Sequence, residues 1–192
     1  MMNKIKTVFI GQPRIGKTSI IRQATNGTFS EGEEPTIGAH NFDKVVTNQR
    51  GETVKFFLWD TAGQENFRSL VPMYFQNAVI CVIVYDITDR STFQALEEWY
   101  RIVKEKAPDD VIIVIVGNKL DLTEQRAVTF DEGLLYSHSI SAEGFFEVSA
   151  KTGEGISHLI SVLSEFNFSK GVVEAVPSIP NPVPQPQEKC PC

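Results

Sequence analysis

Two stretches of the chain, Val79 to Tyr85 and Val111 to Gly117, are almost wholly apolar. Such runs suit parallel strands covered on both faces, because a strand with one wet face alternates apolar and polar residues. Between them, Thr92 to Lys106 carries Phe93, Leu96, Trp99, Tyr100 and Val103 at helical spacing, which predicts a helix with one buried stripe. Its charges, among them Arg101, Lys104, Glu105 and Lys106, form a solvated face. The alternation extends along the chain. Lys4 to Ile10 is a short β-rich run, and a helical stretch follows from Lys17 to about Ala24. Asn41 to Thr47 and Thr53 to Asp60 flank the turn cluster Asn48-Gln49-Arg50-Gly51 and predict a β-hairpin. Thr129 to His138 and Gly155 to Phe168 predict two further helices, with a short strand near Phe145 to Val148 between them. Strands separated by helix-length segments predict an α/β fold, a parallel sheet with helices on both faces. The ligand site is then expected in the loops at the carboxyl ends of the strands.

The bulk numbers narrow the function classes. A chain of 192 residues, 42% of them hydrophobic, suits one ordinary domain with a substantial core. Residues 1–168 are expected to form that domain. The segment 169–192 changes composition, is rich in proline from Pro177 to Pro191, and is expected to be an extended, flexible tail. Lys and Arg total 18 against 24 for Asp and Glu, a net charge of −6. A mildly acidic surface argues against nucleic acid as a partner, since non-specific binding rests on basic groups neutralising phosphates. Neither apolar run approaches the roughly 18 residues needed to span a bilayer. Met1 to Ile10 has Lys4 and Lys6 but no apolar core of a secretory signal. Three cysteines are too few for a disulfide framework, which suits a reducing compartment. Cys81, inside an apolar run, is expected to be a buried small hydrophobe.

Gly11-Gln12-Pro13-Arg14-Ile15-Gly16-Lys17-Thr18 fits the phosphate-loop pattern of two glycines, four intervening residues, then Lys and a hydroxyl residue. It follows a predicted strand and opens a predicted helix, the context the motif requires. Backbone N–H groups and the helix N-terminus then form a concave anion site. Lys17 places a positive charge on the outer phosphates, and the Thr18 hydroxyl can ligate Mg²⁺. Pro13 has no N–H to donate, and Arg14 adds bulk and charge. Arg14 either points to solvent or supplies charge to the phosphates.

A second constellation, Trp59-Asp60-Thr61-Ala62-Gly63-Gln64-Glu65, ends a strand and begins a loop. Asp60 is placed to hold Mg²⁺ through water. Gly63 lets the backbone approach a terminal phosphate, and Gln64 can orient a water for in-line attack. A third, Asn118-Lys119-Leu120-Asp121, follows the strand ending at Gly117. Asp121 offers two acceptor oxygens that match the paired N–H donors on guanine and not adenine. Lys119 can lie along the base with its aliphatic stem. Ser149-Ala150-Lys151 follows the next short strand and can close over the base. Each fragment alone is weak; their order after successive strands is what makes the set specific.

The motifs GQPRIGKT, PTIG, WDTAGQE, NKLD and SAK, spread from about Lys4 to Phe168, resemble those of the Ras-like small GTPases, and within them the Rab family. The resemblance implies a P-loop NTPase with a six-stranded, mostly parallel sheet, one antiparallel edge strand and five flanking helices. It implies GTP/GDP and Mg²⁺ as ligands. Arg14, Ile15, Gly16, Lys17, Thr18 and Ser19 would contact the phosphates, with Pro35, Thr36 and Gly63 at the switch loops. Switch regions would lie at roughly Ser30 to Asn41 and Ala62 to Met73. Thr18 and Thr36 would ligate Mg²⁺ and Asp60 would act through water. Lys17 and Gln64 would be catalytic. Phe29, Asn118, Lys119, Asp121, Leu122, Ser149, Ala150 and Lys151 would surround the base, Phe29 packing edgewise on it. Ile37, Phe42, Trp59 and Tyr74 would meet effectors; simple packing under the hairpin is the alternative for the aromatics.

The resemblance further implies exchange factors, GTPase-activating proteins, a GDP-dissociation inhibitor, a prenylation escort and effectors as partners, for a monomer. Leu70-Val71-Pro72-Met73-Tyr74 and Arg126-Ala127-Val128 resemble the early endocytic branch, which implies the cytosolic face of endomembranes. Cys190-Pro191-Cys192 resembles a terminus carrying two geranylgeranyl groups. One lipid binds membranes only marginally, and Lys170 and Lys189 make no polybasic signal, so two lipids are expected. The alternative for the pair is metal binding or no modification. Four features depart from the family: Pro13, Arg14, Glu33 in place of an aromatic, and one extra residue in Gly38-Ala39-His40-Asn41-Phe42. The extra residue predicts a bulge or a shifted register. Three functions are consistent with the motifs: a slow GTP hydrolase acting as a switch in membrane trafficking, a GTP-binding module with little or no hydrolysis, and a P-loop kinase or ATPase. NKLD argues against the last.

Overall fold

The computed structural model describes residues 2–32, 36, 38–61 and 71–168. Among these are strands β1 (Asn3–Ile10), β2 (Ala39–Thr47), β3 (Thr53–Thr61), β4 (Ile80–Asp86), β5 (Ile112–Asn118) and β6 (Gly144–Glu147). Helices are α1 (Lys17–Asn26), α2 (Val71–Phe75), α3 (Arg90–Gln94), α4 (Leu96–Lys106), α5 (Phe130–Ser139) and α6 (Ile156–Glu165). The strands form one sheet in the order β2-β3-β1-β4-β5-β6. All neighbours are parallel except β2 and β3, which pair antiparallel at the edge. Strand order reverses at β1, so the crevice beyond its carboxyl end is the expected ligand site.

Side chains alternate across the sheet, and two cores result. Ile5, Phe9, Phe56, Leu58, Val82 and Val116 pack with Ile20 and Ile21 of α1 and Leu159 and Leu163 of α6. Val8, Ile10, Trp59, Cys81, Ile83 and Ile115 pack with Phe75 of α2, and with Leu96, Trp99 and Val103 of α4. Of the amphipathic stripe read from sequence, Leu96, Trp99 and Val103 are buried, and Phe93 and Tyr100 pack partly buried against the same core. Full burial of each such side chain contributes about 1.5–3 kcal/mol. Cys81 is fully buried, and burial pushes its thiol well above the ordinary range, so it is inert packing material.

Several element boundaries differ from the sequence reading by a few residues at most, β2 beginning at Ala39 and not Asn41. The helix expected over Thr92 to Lys106 begins at Arg90 and is parted at Ala95. It starts early because the Asp89 carboxylate accepts from the Ser91 N–H, a helix cap. Counting α3 and α4 as one run gives five α-helical runs among the described residues. The helix expected to reach Phe168 stops at Glu165. There the hairpin turn clasps its end: Arg50 Nη1 donates to the Glu165 carbonyl at 3.1 Å, and Asn48 Nδ2 to the Ser164 carbonyl at 3.3 Å. A 3₁₀ segment, Leu120–Gln125, was not foreseen. Helix α5 carries a reciprocal capping box between Thr129 and Glu132.

Candidate functional site

The loop after β1 is built around backbone that few residues adopt. Gly16 has φ 91°, and a Cβ there would collide with the Asn118 amide, so only glycine lets the loop and the third motif approach this closely. Arg14 also sits in the left-handed region, at φ 63°, with its side chain exposed. Ile15 is buried and anchors the loop to the core, while Ser19 is half-buried in the first turn of α1. The Lys17 ammonium is buried and donates to the Gly11 carbonyl at 3.0 Å and the Gln12 carbonyl at 2.8 Å. Burial lowers its pKa to about 8, against the opposing pull of Asp60. A cation held this way on the loop's own carbonyls is poised for an anion.

Three oxygen-bearing side chains meet beside it. Thr18 Oγ1 donates to Asp60 Oδ2 at 2.7 Å, Thr36 Oγ1 donates to the same oxygen at 3.2 Å, and the two hydroxyls are 3.0 Å apart. Asp60 is 1% exposed, and its Oδ1 has no hydrogen-bond partner among the described residues. Burial raises its carboxyl pKa, opposed by the Thr18 bond and the Lys17 charge. An unpartnered buried carboxylate oxygen beside two hydroxyls is a hard-oxygen set that suits Mg²⁺. Among the described residues no three His, Cys, Asp or Glu side chains cluster.

On the other side of the loop, Asn118 is 2% exposed and joins two neighbours. Its Nδ2 donates to the Ile15 carbonyl at 2.8 Å, and its Oδ1 accepts from the Ala150 N–H at 3.1 Å. Ser149 Oγ donates to Asp121 Oδ1 at 2.5 Å. Lys119 stands in the left-handed region at φ 71°, and its ammonium pairs with Asp86 Oδ2 at 2.5 Å, which pins the tip of the side chain. Leu122 has non-helical backbone inside the 3₁₀ segment and is half-buried. Phe29 is 39% exposed. Its loop meets the third motif set through Glu31, whose Oε1 lies 3.1 Å from Lys151 Nζ. The structure thus brings the three separated loops together. Asp86 and Glu31 were missed by sequence reasoning; Asp86, an acid closing an apolar strand, was the readable signal.

Residues 6–166 match the Ras family model. The chain is 36% identical over 159 residues to Ras-related protein RabC of Dictyostelium discoideum, covering 82% of this chain and 81% of that protein. It is 39% identical over 175 residues to GTP-binding protein YPT53 of Saccharomyces cerevisiae, covering 84% and 75%. It is 39% identical over 163 residues to Ras-related protein Rab-22A of Mus musculus, covering 85% and 83%. The chain belongs to the Ras family, among the Rab GTPases. It is a small GTPase that hydrolyses GTP and acts in vesicle trafficking, and a non-hydrolysing scaffold is not favoured.

In this Rab, Phe42 lies apart from Trp59 and Tyr74. β2 pairs with β3 without a bulge from Ala39↔Thr61 to Thr47↔Thr53, so the expected bulge is absent from this stretch. Phe42 lies opposite Leu58 and packs against the core shared with α1 and α6. Trp59 and Tyr74, with ring centroids 6.4 Å apart, belong to the other core. Side chains alternate faces along a strand, and exposed Asn41 is the residue opposite Trp59. Gln64, Gly63, Pro35, Ile37, Cys190 and Cys192 lie outside the described residues.

Proposed function

We propose that the crevice beyond β1 binds GTP and GDP with Mg²⁺, and that its occupancy sets two states of the loops around Thr36 and Gly63. The observation that carries this is the convergence of Thr18 and Thr36 on Asp60, with the buried Lys17 ammonium on the adjoining loop. Lys17 would shift from loop carbonyls to the β- and γ-phosphates of GTP. Thr18 and Thr36 would hold Mg²⁺, with Asp60 acting through water; the ion, when bound, neutralises phosphate charge. Arg14, Ile15, Gly16 and Ser19 would line the phosphates, with Pro35 and Gly63 at the switch loops. Asp121 would accept from the guanine edge while Ser149 orients its carboxylate. Ala150 and Asn118 would fix the distance between base loop and phosphate loop. Phe29, Lys119, Leu122 and Lys151 would enclose the ring. Gln64 would orient the attacking water. Chemistry of this kind is positioning and charge stabilisation, so intrinsic turnover is slow.

Residues 1–168 form the switch domain in this reading, and 169–192 the tether, lipidated at Cys190 and Cys192. No described helix is long and apolar enough to cross a membrane. Ile37 and Phe42 are offered as effector contacts, and Trp59 and Tyr74, 3% and 4% exposed, would support that surface from beneath. Exchange factors, GTPase-activating proteins, GDP-dissociation inhibitor and a prenylation escort are the expected partners. The resemblance of Leu70 to Tyr74 and of Arg126 to Val128 to the early endocytic branch is what supports the early endosome as the site of action. The test is chromatography of nucleotide released from purified full-length protein, followed by single-turnover hydrolysis. Co-purifying GDP or GTP is expected, with Gln64→Leu retaining GTP and losing most hydrolysis. Unchanged hydrolysis in that variant contradicts the role of Gln64.

A further inference from the structure

Asp121 stands near the start of the 3₁₀ segment Leu120–Gln125, and Arg126 caps its end. The Arg126 guanidinium turns back to the sheet. Its Nη1 donates to Glu147 Oε1 at 2.6 Å and its Nη2 to Glu147 Oε2 at 2.7 Å, while Nη1 also donates to the Val128 carbonyl at 3.0 Å. The Glu147 side chain is 6% exposed and that of Arg126 is 22% exposed. Glu147 closes β6, two residues before the Ser149 that bonds Asp121. The same strand end therefore holds the base segment twice: at its beginning through Ser149 and Asp121, and at its exit through Glu147 and Arg126.

We propose that the Arg126–Glu147 pair is a positioning element of the guanine site, setting the spacing between Asp121 and the Ser149–Ala150 loop and so the residence time and base selectivity of the nucleotide. This rests on the guanine-nucleotide reading above. A bidentate guanidinium–carboxylate fork fixes both distance and angle, which a single ion contact does not. Burial of the carboxylate keeps solvent and salt from loosening it. Backbone bonds tie the neighbouring strand ends, Val148 N–H to the Gly117 carbonyl at 2.8 Å and Leu120 N–H to the Val148 carbonyl at 3.0 Å. The exit of the segment is tied to a different strand end, the Ala127 and Val128 N–H groups donating to the Ile87 carbonyl at 2.8 and 3.0 Å. The fork is therefore the side-chain link that holds this anchored exit against the end of β6, and its loss lets the Ser149–Ala150 loop shift relative to Asp121.

The test compares full-length wild type with R126K, E147Q and the exchanged pair R126E/E147R. Release of fluorescent GDP and of fluorescent inosine diphosphate is timed against excess unlabelled nucleotide, and melting temperature is read in parallel. Inosine lacks the exocyclic amine that an aligned Asp121 recognises, so the ratio of the two release rates reports that alignment. R126K and E147Q are expected to release GDP about tenfold faster while the inosine analogue accelerates less, narrowing the ratio. R126K keeps the charge but not the fork, so the loss isolates geometry. The exchanged pair is expected to recover part of the ratio. A lowered melting temperature with release rates and ratio unchanged overturns the proposal, as does no change at all. Wild type binding neither nucleotide is a separate result that removes the guanine reading and the proposal together.

Discussion

Asn118 is the side chain whose removal tests the convergence of the three loops most directly. In Asn118→Ala the Ile15 carbonyl loses the Nδ2 donor at 2.8 Å, and the Ala150 N–H loses the Oδ1 acceptor at 3.1 Å. Both orphaned groups belong to buried residues, Ile15 at 1% and Ala150 at 3% exposure. Each unsatisfied buried group costs about 1–3 kcal/mol. Two of them give about 2–6 kcal/mol, and water entering the vacated space trims this to about 2–4 kcal/mol. At 1.4 kcal/mol per decade, GDP release accelerates about 30- to 700-fold. The assay is stopped-flow displacement of fluorescent GDP by excess GDP in the presence of Mg²⁺. Asn118→Asp serves as the size control: it keeps an acceptor for Ala150 but sets a carboxylate oxygen against the Ile15 carbonyl, and release is expected to be at least as fast. Release within about threefold of wild type in both variants would refute the reasoning, since the loops would then be held by something other than this amide.

Asp121→Asn replaces one of the two acceptor oxygens with a donor, so the protein is expected to lose GTP affinity and take up xanthosine nucleotides, as competition binding will show. Thr18→Ala removes one hydroxyl from the Asp60 cluster; GDP release should then accelerate and respond little to Mg²⁺ removal by chelator, whereas wild type responds strongly. Lys6 is fully buried, with its ammonium 3.9 Å from the Trp59 ring centroid and donating to the Gln76 carbonyl at 2.9 Å. Desolvation lowers its pKa from 10.5 to about 8, so the unfolded chain holds the proton more tightly. Stability of the wild type relative to Lys6→Met should therefore rise as pH climbs from about 8 toward 10.5. A denaturant-midpoint difference that stays constant across that window would count against this.

Much of the site was legible because its signals are short-range. A glycine-framed loop with Lys17 and Thr18, an acid after a strand, and Asn118 to Asp121 after another each declare chemistry within a few residues. The apolar runs likewise declared β4 and β5, because burial on both faces leaves a continuous pattern. The parting at Ala95 was hidden, since the Phe93 to Val103 stripe continues across it and periodicity does not register a local break. The pinning of Lys119 by Asp86 was hidden for another reason: the two acquire meaning only when β4 and β5 pair in register.

Local residue patterns by themselves determined the class of fold, the order of the three nucleotide motifs and the chemistry each can perform. Tertiary structure alone decided which face Phe42 occupies, which group holds the Lys119 ammonium, and how Arg126 reaches Glu147. These depend on strand register and on contacts between segments far apart in the chain. A one-residue change in pairing reverses a side chain's direction while leaving the local pattern of residues untouched.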